Sequence, residues 1–542
     1  METRGGDFVP LSWPWLVATS MLVCGLSLLY LWWQHPRYGG NTGPKVFPVV
    51  GCLPQMLMNG NRLYDWTTEE LKKTPTMTMR VSVPGMEYVE TGNPANLEHI
   101  LKTNFQDYPK GNFFSSFFTD LLGLGIFNAD GRLWKVQRRV GSQEFNTGTL
   151  QESAIHSVQR ELTERFLPLL DHSCDTNASV DLQDLLLRFT FDTICQLAFG
   201  TDPGCLKSEM SSAPVPFESF AKAFDDAVLQ STIRVWSVFP PWQVKRFFNI
   251  GSERKLRQSL ATIDSFSFDL IRTRRKEVLA GGGNNQVKLD LLSRFIKIAD
   301  DVVESPEVKQ RIEQDPRSKH QNPSDLFLRD IVISFILAGR DTSACGLTWF
   351  FWILSSNPRV EAEIYNEIQA TIASRKEDLP TSICLVFSFE ELKNMHYLHA
   401  ALMESMRLYP PVPDDSKEAA VDNVFPDGTI IPKGIRVSFH MYAMGRSESI
   451  WGPDWSEFRP ERFLQDGVFV PPNPFTYPVF QAGPRICLGK DIAMVQMKMV
   501  AATLLSRYAF VVREGHRANH DWSMTMKILE GLPVTVKRRR ER

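Results

Sequence analysis

The chain has 542 residues and is short of paired cysteine. Its eight cysteines, at 24, 52, 174, 195, 205, 345, 384 and 487, form no C-x-x-C pair. That excludes a zinc ribbon and a thioredoxin-like motif, and scattered single cysteines suit a reducing compartment. Surplus charge of either sign is also missing: the net charge is −2, so nothing implies bulk attraction to nucleic acid. No G-x-G-x-x-G run opens a helical pattern, so the chain lacks the usual device for collecting electrons from a dinucleotide. Internal repeats are absent. No composition shift cuts the body into separate domains, although the length would allow two or three. Asn177-Ala178-Ser179 is a glycosylation triplet, of a kind that arises often by chance and would go unused facing the cytosol.

One cysteine stands apart. Phe480-Gln-Ala-Gly483-Pro-Arg485-Ile-Cys487-Leu-Gly489 reads F-x-x-G-x-R-x-C-x-G and leads into a run with helical spacing, Asp491 to Ser506. A cysteine on a glycine-flanked turn at a helix N-terminus has the helix dipole beside it, and Arg485 adds a positive charge; both favour thiolate. With no second cysteine close by, the thiolate suits haem iron better than tetrahedral zinc. The bland alternative is an ordinary buried cysteine. Gly483 and Gly489 weigh against it, because glycine lets backbone approach a flat cofactor and aim N–H groups at sulfur.

This decapeptide resembles the haem-binding loop of the cytochrome P-450 family. The resemblance implies Cys487 as axial ligand of the iron of haem b, with Phe480 packed beside the sulfur. Ala338-Gly-Arg-Asp341-Thr342-Ser343 lies in a long apolar pattern from Asp325 to Ser355. Gly339 and Thr342 are poor mid-helix residues, and a threonine hydroxyl can bond back one turn and open the helix. Alone this is an even match between chance and function. In the family it is the oxygen-activation motif, which implies Thr342 and Asp341 as a proton relay and Ala338 on the pocket wall. Glu404-x-x-Arg407 is by default a surface ion pair; with Phe458-Arg-Pro-Glu-Arg462-Phe463 downstream it resembles the family's buried triad of Glu404, Arg407 and Arg462. Trp134-x-x-x-Arg138 is weak by itself. In the family it contacts a haem propionate, and Arg485 and Lys417 would share that anionic end. The four motifs keep the family's order, and the likeness covers roughly residues 40 to 540.

The expected fold is therefore mainly α with small β-sheets, the cytochrome P-450 fold, preceded by one N-terminal transmembrane helix. From Phe8 to Gln34 no residue is charged, and Trp13 to Trp33 has bilayer-spanning length with aromatic residues at both ends. A cleaved signal peptide or a buried helix would share that composition, but Glu2, Arg4 and Asp7 are not a basic n-region. Arg37 and Lys45 place the body on the cytosolic side. The organisation expected is 1–34 anchor, 35–55 a Pro/Gly-rich hinge, and 56–542 the haem-thiolate monooxygenase domain, on the endoplasmic reticulum membrane. Within the body we expect a hairpin of Thr76–Val83 and Met86–Thr91, a capping box Ser388/Glu391 at the start of the Glu404 helix, and strand-like pieces at Thr429–Phe439 and Leu532–Val536. Polar surface loops are expected at Gly281–Gln286 and Asp315–Ser324. The basic run Lys537–Arg542 reads as a solvated tail that would at most touch lipid headgroups or a redox partner.

Several stretches, among them Tyr108-Pro-Lys-Gly111, Gly125–Asp130, Asn249–Arg254, Asp414–Lys417 and Tyr442–Arg446, resemble the plant branch that hydroxylates fatty acids at or near the chain end. Phe113, Phe114, Phe117 and Phe118 fall where the family's loop after its second helix borders the substrate; Val412, Pro413 and Met524 fall at two other pocket-lining segments. Such phenylalanines are as often plain core. Asp414 departs from the branch, which has an apolar residue there, and leaves room for oxygenated or amino-acid-conjugated acids such as jasmonate conjugates. The resemblance implies O2 as co-substrate, NADPH electrons from a separate diflavin reductase docking near Cys487, a lipid bilayer, and no nucleic acid. Competing classes are a reductase-independent haem isomerase or dehydratase, and a non-catalytic haem sensor. The intact Asp341–Thr342 pair argues against both.

Overall fold

The computed structural model describes residues 19–27, 43–47, 50–145, 148–206, 216–236, 241–280, 290–375, 386–521 and 523–539. A 33-residue helix from Pro323 to Ser355 runs through the middle. Asn322 starts it, its side chain accepting from Ser324 N at 2.9 Å with Pro323 at the first position. Its two halves are buried in different cores. Leu326 to Leu337 pack with the Gly251–Ala280 and Leu291–Val303 helices, and Ala344 to Leu354 with the His396–Leu408 and Lys490–Arg507 helices. Each fully buried Leu or Phe contributes about 1.5–3 kcal/mol of transfer free energy, so both halves are firmly held. The stretch Leu337–Asp341 between them is a widened π turn.

The strands are short and gather at the periphery. One sheet has four, in the order Thr78–Val83, Met86–Thr91, Arg436–Phe439, Asp415–Glu418, and a second has Tyr508–Val512, Pro533–Arg538 and Ser179–Asp181. The chain is mainly helical with small sheets, as expected. The hairpin around Pro84-Gly85 is present, with Gly85 at φ 74°. The Thr429–Phe439 piece is two strands, Ile430–Ile431 and Arg436–Phe439, in different sheets. Pro432 cannot donate and Gly434 turns at φ 83° between them.

Other details depart from the sequence reading. The Ser388/Glu391 capping box exists but caps a six-residue helix, Phe389–Asn394; the Glu404 helix is separate and starts at His396. Asp315–Ser324 holds a 3-10 turn, because Asp315 accepts from Arg317 N at 2.9 Å. The described part of the expected basic tail is tied down: Arg538 ends a strand and pairs with Asp171 and Asp175, and Arg539 pairs with Glu361, while residues 540–542 lie outside the described residues. Gly281–Gln286 lies outside the described residues. So do most of the expected anchor and parts of the hinge. Residues 19–27 are helical, with Met21, Leu22, Val23 and Leu26 exposed. Among the described residues, the helix long and apolar enough to cross a membrane is Pro323–Ser355, which is buried in the body.

Candidate active site

The Cys487 loop is built by two residues with positive φ, Gln481 at 61° and Gly483 at 64°. Cys487 N donates to Phe480 O at 2.8 Å and Ile486 N to Gly483 O at 3.1 Å, which closes the turn. Gly489 is the N-cap of the Lys490–Arg507 helix, and its backbone N–H reaches the sulfur. Cys487 is exposed only towards an internal cavity, whose wall it forms. Burial pushes its thiol up; the Gly489 N–H and the charge of Arg138 pull it down. Arg138 is thus an arginine whose charge reaches the sulfur. A bound metal ion would complete the ionisation, since a coordinating thiol gives up its proton.

The two loop glycines serve different ends. A Cβ on Gly483 would overlap the Leu101 carbonyl oxygen, so this glycine seats the loop on the neighbouring turn and is not among the cavity-lining residues. Gly489 does line the cavity, with the Phe145 ring 3.7 Å from where its Cβ would lie.

A cationic rim lies beside the loop. Arg485 donates to Asp130 Oδ1 at 2.6 Å and Ala129 O at 3.0 Å, and lies over the Trp134 ring at 4.6 Å. Its Nε has no partner although buried. Lys417, 2% exposed, stands 3.7 Å from Asp415, which also pairs with Lys110. Burial first, and then the Lys110 charge, hold the Lys417 ammonium well below its usual range. Among the described residues the ion pairs of Lys110, Lys417 and Arg485 run to Asp130 and Asp415, Arg138 has none, and all four basic side chains line the cavity. A flat cofactor with two acidic arms fits this excess and would partner the orphaned Arg485 nitrogen. Lys110 and Asp415 were not assigned a role from the sequence. They are 305 residues apart, and no local pattern links them.

The opposite wall is the widened turn. Thr342 Oγ1 donates to Ala338 O at 2.6 Å, and Thr190 Oγ1 to Arg340 O at 2.8 Å. These hydroxyls satisfy carbonyls that the expanded turn leaves without helical partners. Gly339 has no side chain because a Cβ would strike Ile194, 2.5 Å away. Ala338 and Thr342 line the cavity and Asp341 does not. Asp341, fully buried, is instead bound by Arg340 at 2.8 Å and approached by Lys527 at 3.3 Å, both of which also pair with Asp225. The carboxylate stands behind Thr342, in a buried ion network.

Glu404, Arg407 and Arg462 form one buried group. Arg407 binds both Glu404 oxygens at 2.6 and 2.8 Å, and Arg462 Nε donates to Glu404 Oε1 at 3.1 Å. Arg462 also holds Trp451 O at 2.9 Å and Asp454 at 2.8 Å. Trp451 packs on Tyr477, whose hydroxyl donates to Met403 O at 2.8 Å. The triad thereby fixes the segment that leads into the cysteine loop.

The cavity has a volume of about 440 Å³. Phe113, Phe114, Phe117 and Phe118 line it, as do Val412, Asp414 and Met524; Pro413 does not, and its carbonyl accepts from Tyr442 N at 3.0 Å. The phenylalanines sit on a helix, Gly111–Leu122, rather than a loop. Asp130 accepts from Lys110 N and Gly111 N at 3.0 and 3.1 Å, and Glu418 from Phe113 N at 3.0 Å, so distant carboxylates cap the helix start. The rings then pair one turn apart, Phe113 with Phe117 at 4.9 Å and Phe114 with Phe118 at 4.8 Å.

A thiol at a helix N-terminus, a basic rim and an opened helix around one mainly apolar cavity define a protein that holds haem through cysteine. The cytochrome P-450 family model matches residues 42–531, and the chain belongs to that family. It is similar to cytochrome P-450 94A1 of Vicia sativa, 42% identical over 92% of this chain and 91% of the relative. It is also similar to cytochrome P-450 94C1 of Arabidopsis thaliana, 44% identical over 88% and 87%, and to cytochrome P-450 704B1 of Arabidopsis thaliana, 38% identical over 96% and 98%. It is a haem-dependent monooxygenase that uses O2, a small-molecule substrate and electrons from a reductase partner.

Proposed function

We propose that the chain hydroxylates a fatty acid or fatty-acid-derived substrate at or near its terminal carbon. The observation that carries this reading is the cavity itself, with Cys487 on one wall and two phenylalanine pairs, one edge-to-face and one tilted, on another. An aromatic and aliphatic lining suits a hydrocarbon chain. The resemblance to the plant ω-hydroxylase branch and the similarity to plant relatives support the same class. Haem b, when bound, supplies the oxidising chemistry; Cys487 would hold its iron, and Arg138, Arg485, Lys417 and Trp134 its acidic edge. Thr342 presents a hydroxyl at the cavity wall, where it can pass a proton, and Asp341 behind it sets the local charge. Internal C–H bonds are weaker than terminal ones, so positioning by the Phe113–Phe118 wall must decide the carbon attacked. NADPH electrons arrive through a diflavin reductase. Residues 1–34 anchor the chain in the endoplasmic reticulum membrane with the body, 56–542, in the cytosol.

Asp414 on the cavity wall favours a second reading, an oxygenated or amino-acid-conjugated acid such as a jasmonoyl conjugate. The test is reconstitution with reductase and NADPH on a panel of fatty acids, hydroxy acids and conjugates, with products identified by mass. Oxygen inserted at or next to the chain end is expected; turnover that needs no NADPH would refute the monooxygenase assignment to these lipids. The reduced carbon monoxide spectrum reports the thiolate, and Cys487→Ser should abolish that band.

A further inference from the structure

The four-stranded sheet has a polar face, and that face lines the cavity. Side chains alternate across a strand, so Tyr88 and Glu90 share one side, and Arg436, Ser438 and His440 share one side of the next strand. The parallel register sets Tyr88 beside Arg436 and Glu90 beside Ser438. Ser416 pairs with Ser438 on the far side, which brings Asp414, two residues earlier, to the same end. The opposite face carries Val89, Val437 and Phe439 into an apolar core. Tyr88, Glu90, Asp414, Arg436 and His440 all line the cavity.

A tunnel for a bare alkyl chain needs none of these groups, and they satisfy one another only in part. Glu90 Oε1 and protonated His440 Nε2 form an ion pair at 3.7 Å, which uses one carboxylate oxygen and one ring nitrogen. Glu90 Oε2, His440 Nδ1 and Arg436 Nε are buried without a hydrogen-bond partner. Arg436 lies over the Tyr88 and Phe113 rings at 5.0 and 4.8 Å, which holds its plane in place at the wall. Among the described residues no hydrogen bond reaches the Asp414 carboxylate; burial raises its carboxyl while His440 and Arg436 oppose that. Buried polar groups are ordinarily paired, and a set of them facing a cavity implies a ligand that pairs them.

We propose that this sheet face is the head-group subsite of the cavity. It takes an acyl substrate whose polar end carries an acid together with a hydrogen-bond donor, the acid facing Arg436 and His440 and the donor facing Asp414. A plain fatty acid would satisfy the two cations but leave Asp414 without a donor. With the head held at the sheet, the far end of the chain is the part free to reach the Cys487 wall. This inference rests on the fatty-acid-derived reading above and names the residues that would hold the head group of its second form.

The test is a binding titration of the purified holoenzyme, followed by the haem absorption change and, independently, by calorimetry. Four probes are used: N-dodecanoylglycine, its N-methyl analogue, its methyl ester, and dodecanoic acid. The wild type should bind N-dodecanoylglycine about tenfold more tightly than the N-methyl analogue or the ester, the ratio set by losing one hydrogen bond to a charged group. Asp414→Val should erase the preference over the N-methyl analogue, and Arg436→Gln the preference over the ester. The reduced carbon monoxide band checks that each variant is folded, and the wild-type comparison stands without either. Equal wild-type affinity for N-dodecanoylglycine and its N-methyl analogue, or a preference that survives Asp414→Val, would overturn the subsite. If dodecanoic acid is bound and hydroxylated with no advantage for the glycine conjugate, the subsite alone fails. If no probe binds and no chain is oxidised, the fatty-acid reading fails with it.

Discussion

Thr342 Oγ1 is bonded to the carbonyl of Ala338, one turn back, at 2.6 Å. That bond replaces the backbone partner lost where the Pro323–Ser355 helix widens at Leu337–Asp341. The hydroxyl therefore does two things: it stabilises the opened turn and it stands at the cavity wall as a group able to hold a proton. Thr342→Val keeps the shape and removes the hydroxyl. Product formed per NADPH oxidised should fall about a hundredfold, the lower end of effects from losing a positioned proton donor. Thr342→Ser should recover most of it. Product yield per NADPH, measured in the reconstituted system, separates this from lost folding, because both variants should retain the reduced carbon monoxide band.

The two loop glycines predict opposite tolerances. Gly483 has φ 64°, and a Cβ there would overlap the Leu101 carbonyl. Gly489 has φ −92°, and its nearest neighbour, the Phe145 ring, is at ordinary contact distance. Gly483→Ala should lower the yield of haem-loaded protein severely, since left-handed backbone costs an L-residue about 1–2 kcal/mol before any overlap is relieved. Gly489→Ala meets no clash within the protein and should load more haem than Gly483→Ala does. Equal loading in the two variants would contradict the packing described here.

Local spacing made part of this site legible. The Cys487 turn, the Thr342 back-bond and the Glu404–Arg407 pair each span only a few residues, so a short window shows each of them. Pairings across the chain have no such trace: Lys110 with Asp415, or Asp341 with Lys527. Asp341 reads in sequence as half of a relay, and only the fold shows it enclosed by Arg340 and Lys527. The piece Thr429–Phe439 reads as strand-like in the sequence, but that says nothing of what its polar side faces. An edge sheet ordinarily turns that side to water; here it turns it to a cavity. The phenylalanine helix was hidden for a similar reason, since its caps come from Asp130 and Glu418.

Glu404 sits fully buried between two arginines. Glu404→Gln keeps the volume but leaves Arg407 as a buried charge with no carboxylate and Arg462 with Asp454 alone. Breaking one partner of such a group costs about 3–5 kcal/mol, a large share of the stability of an ordinary domain. The expected outcome is a marked fall in the thermal midpoint and early release of haem on heating, followed by circular dichroism and haem absorbance together. A midpoint within a degree or two of wild type would mean that the triad does not hold the loop.

Asp521 gives a pH dependence whose sign can be stated. Burial, reinforced by Asp341 and Asp225 and opposed by Lys527, raises its carboxyl from the ordinary 3.8 to about 7. Between those values the folded protein holds a proton that the unfolded chain has released. Stability from this group is therefore present below the ordinary value, is lost as pH rises through the window, and changes no further above the folded value. Asp225 beside it is held below its usual range by Arg340 and Lys527 despite burial, and contributes with the opposite sign at lower pH. The variant comparison isolates Asp521: Asp521→Asn cannot ionise, so its stability relative to wild type should rise steadily from about pH 4 to about pH 7 and then level off. Chemical unfolding of both proteins at a series of pH values checks this. A difference that stays flat across the window would show that Asp521 is ionised in the folded protein and that Lys527 compensates it fully.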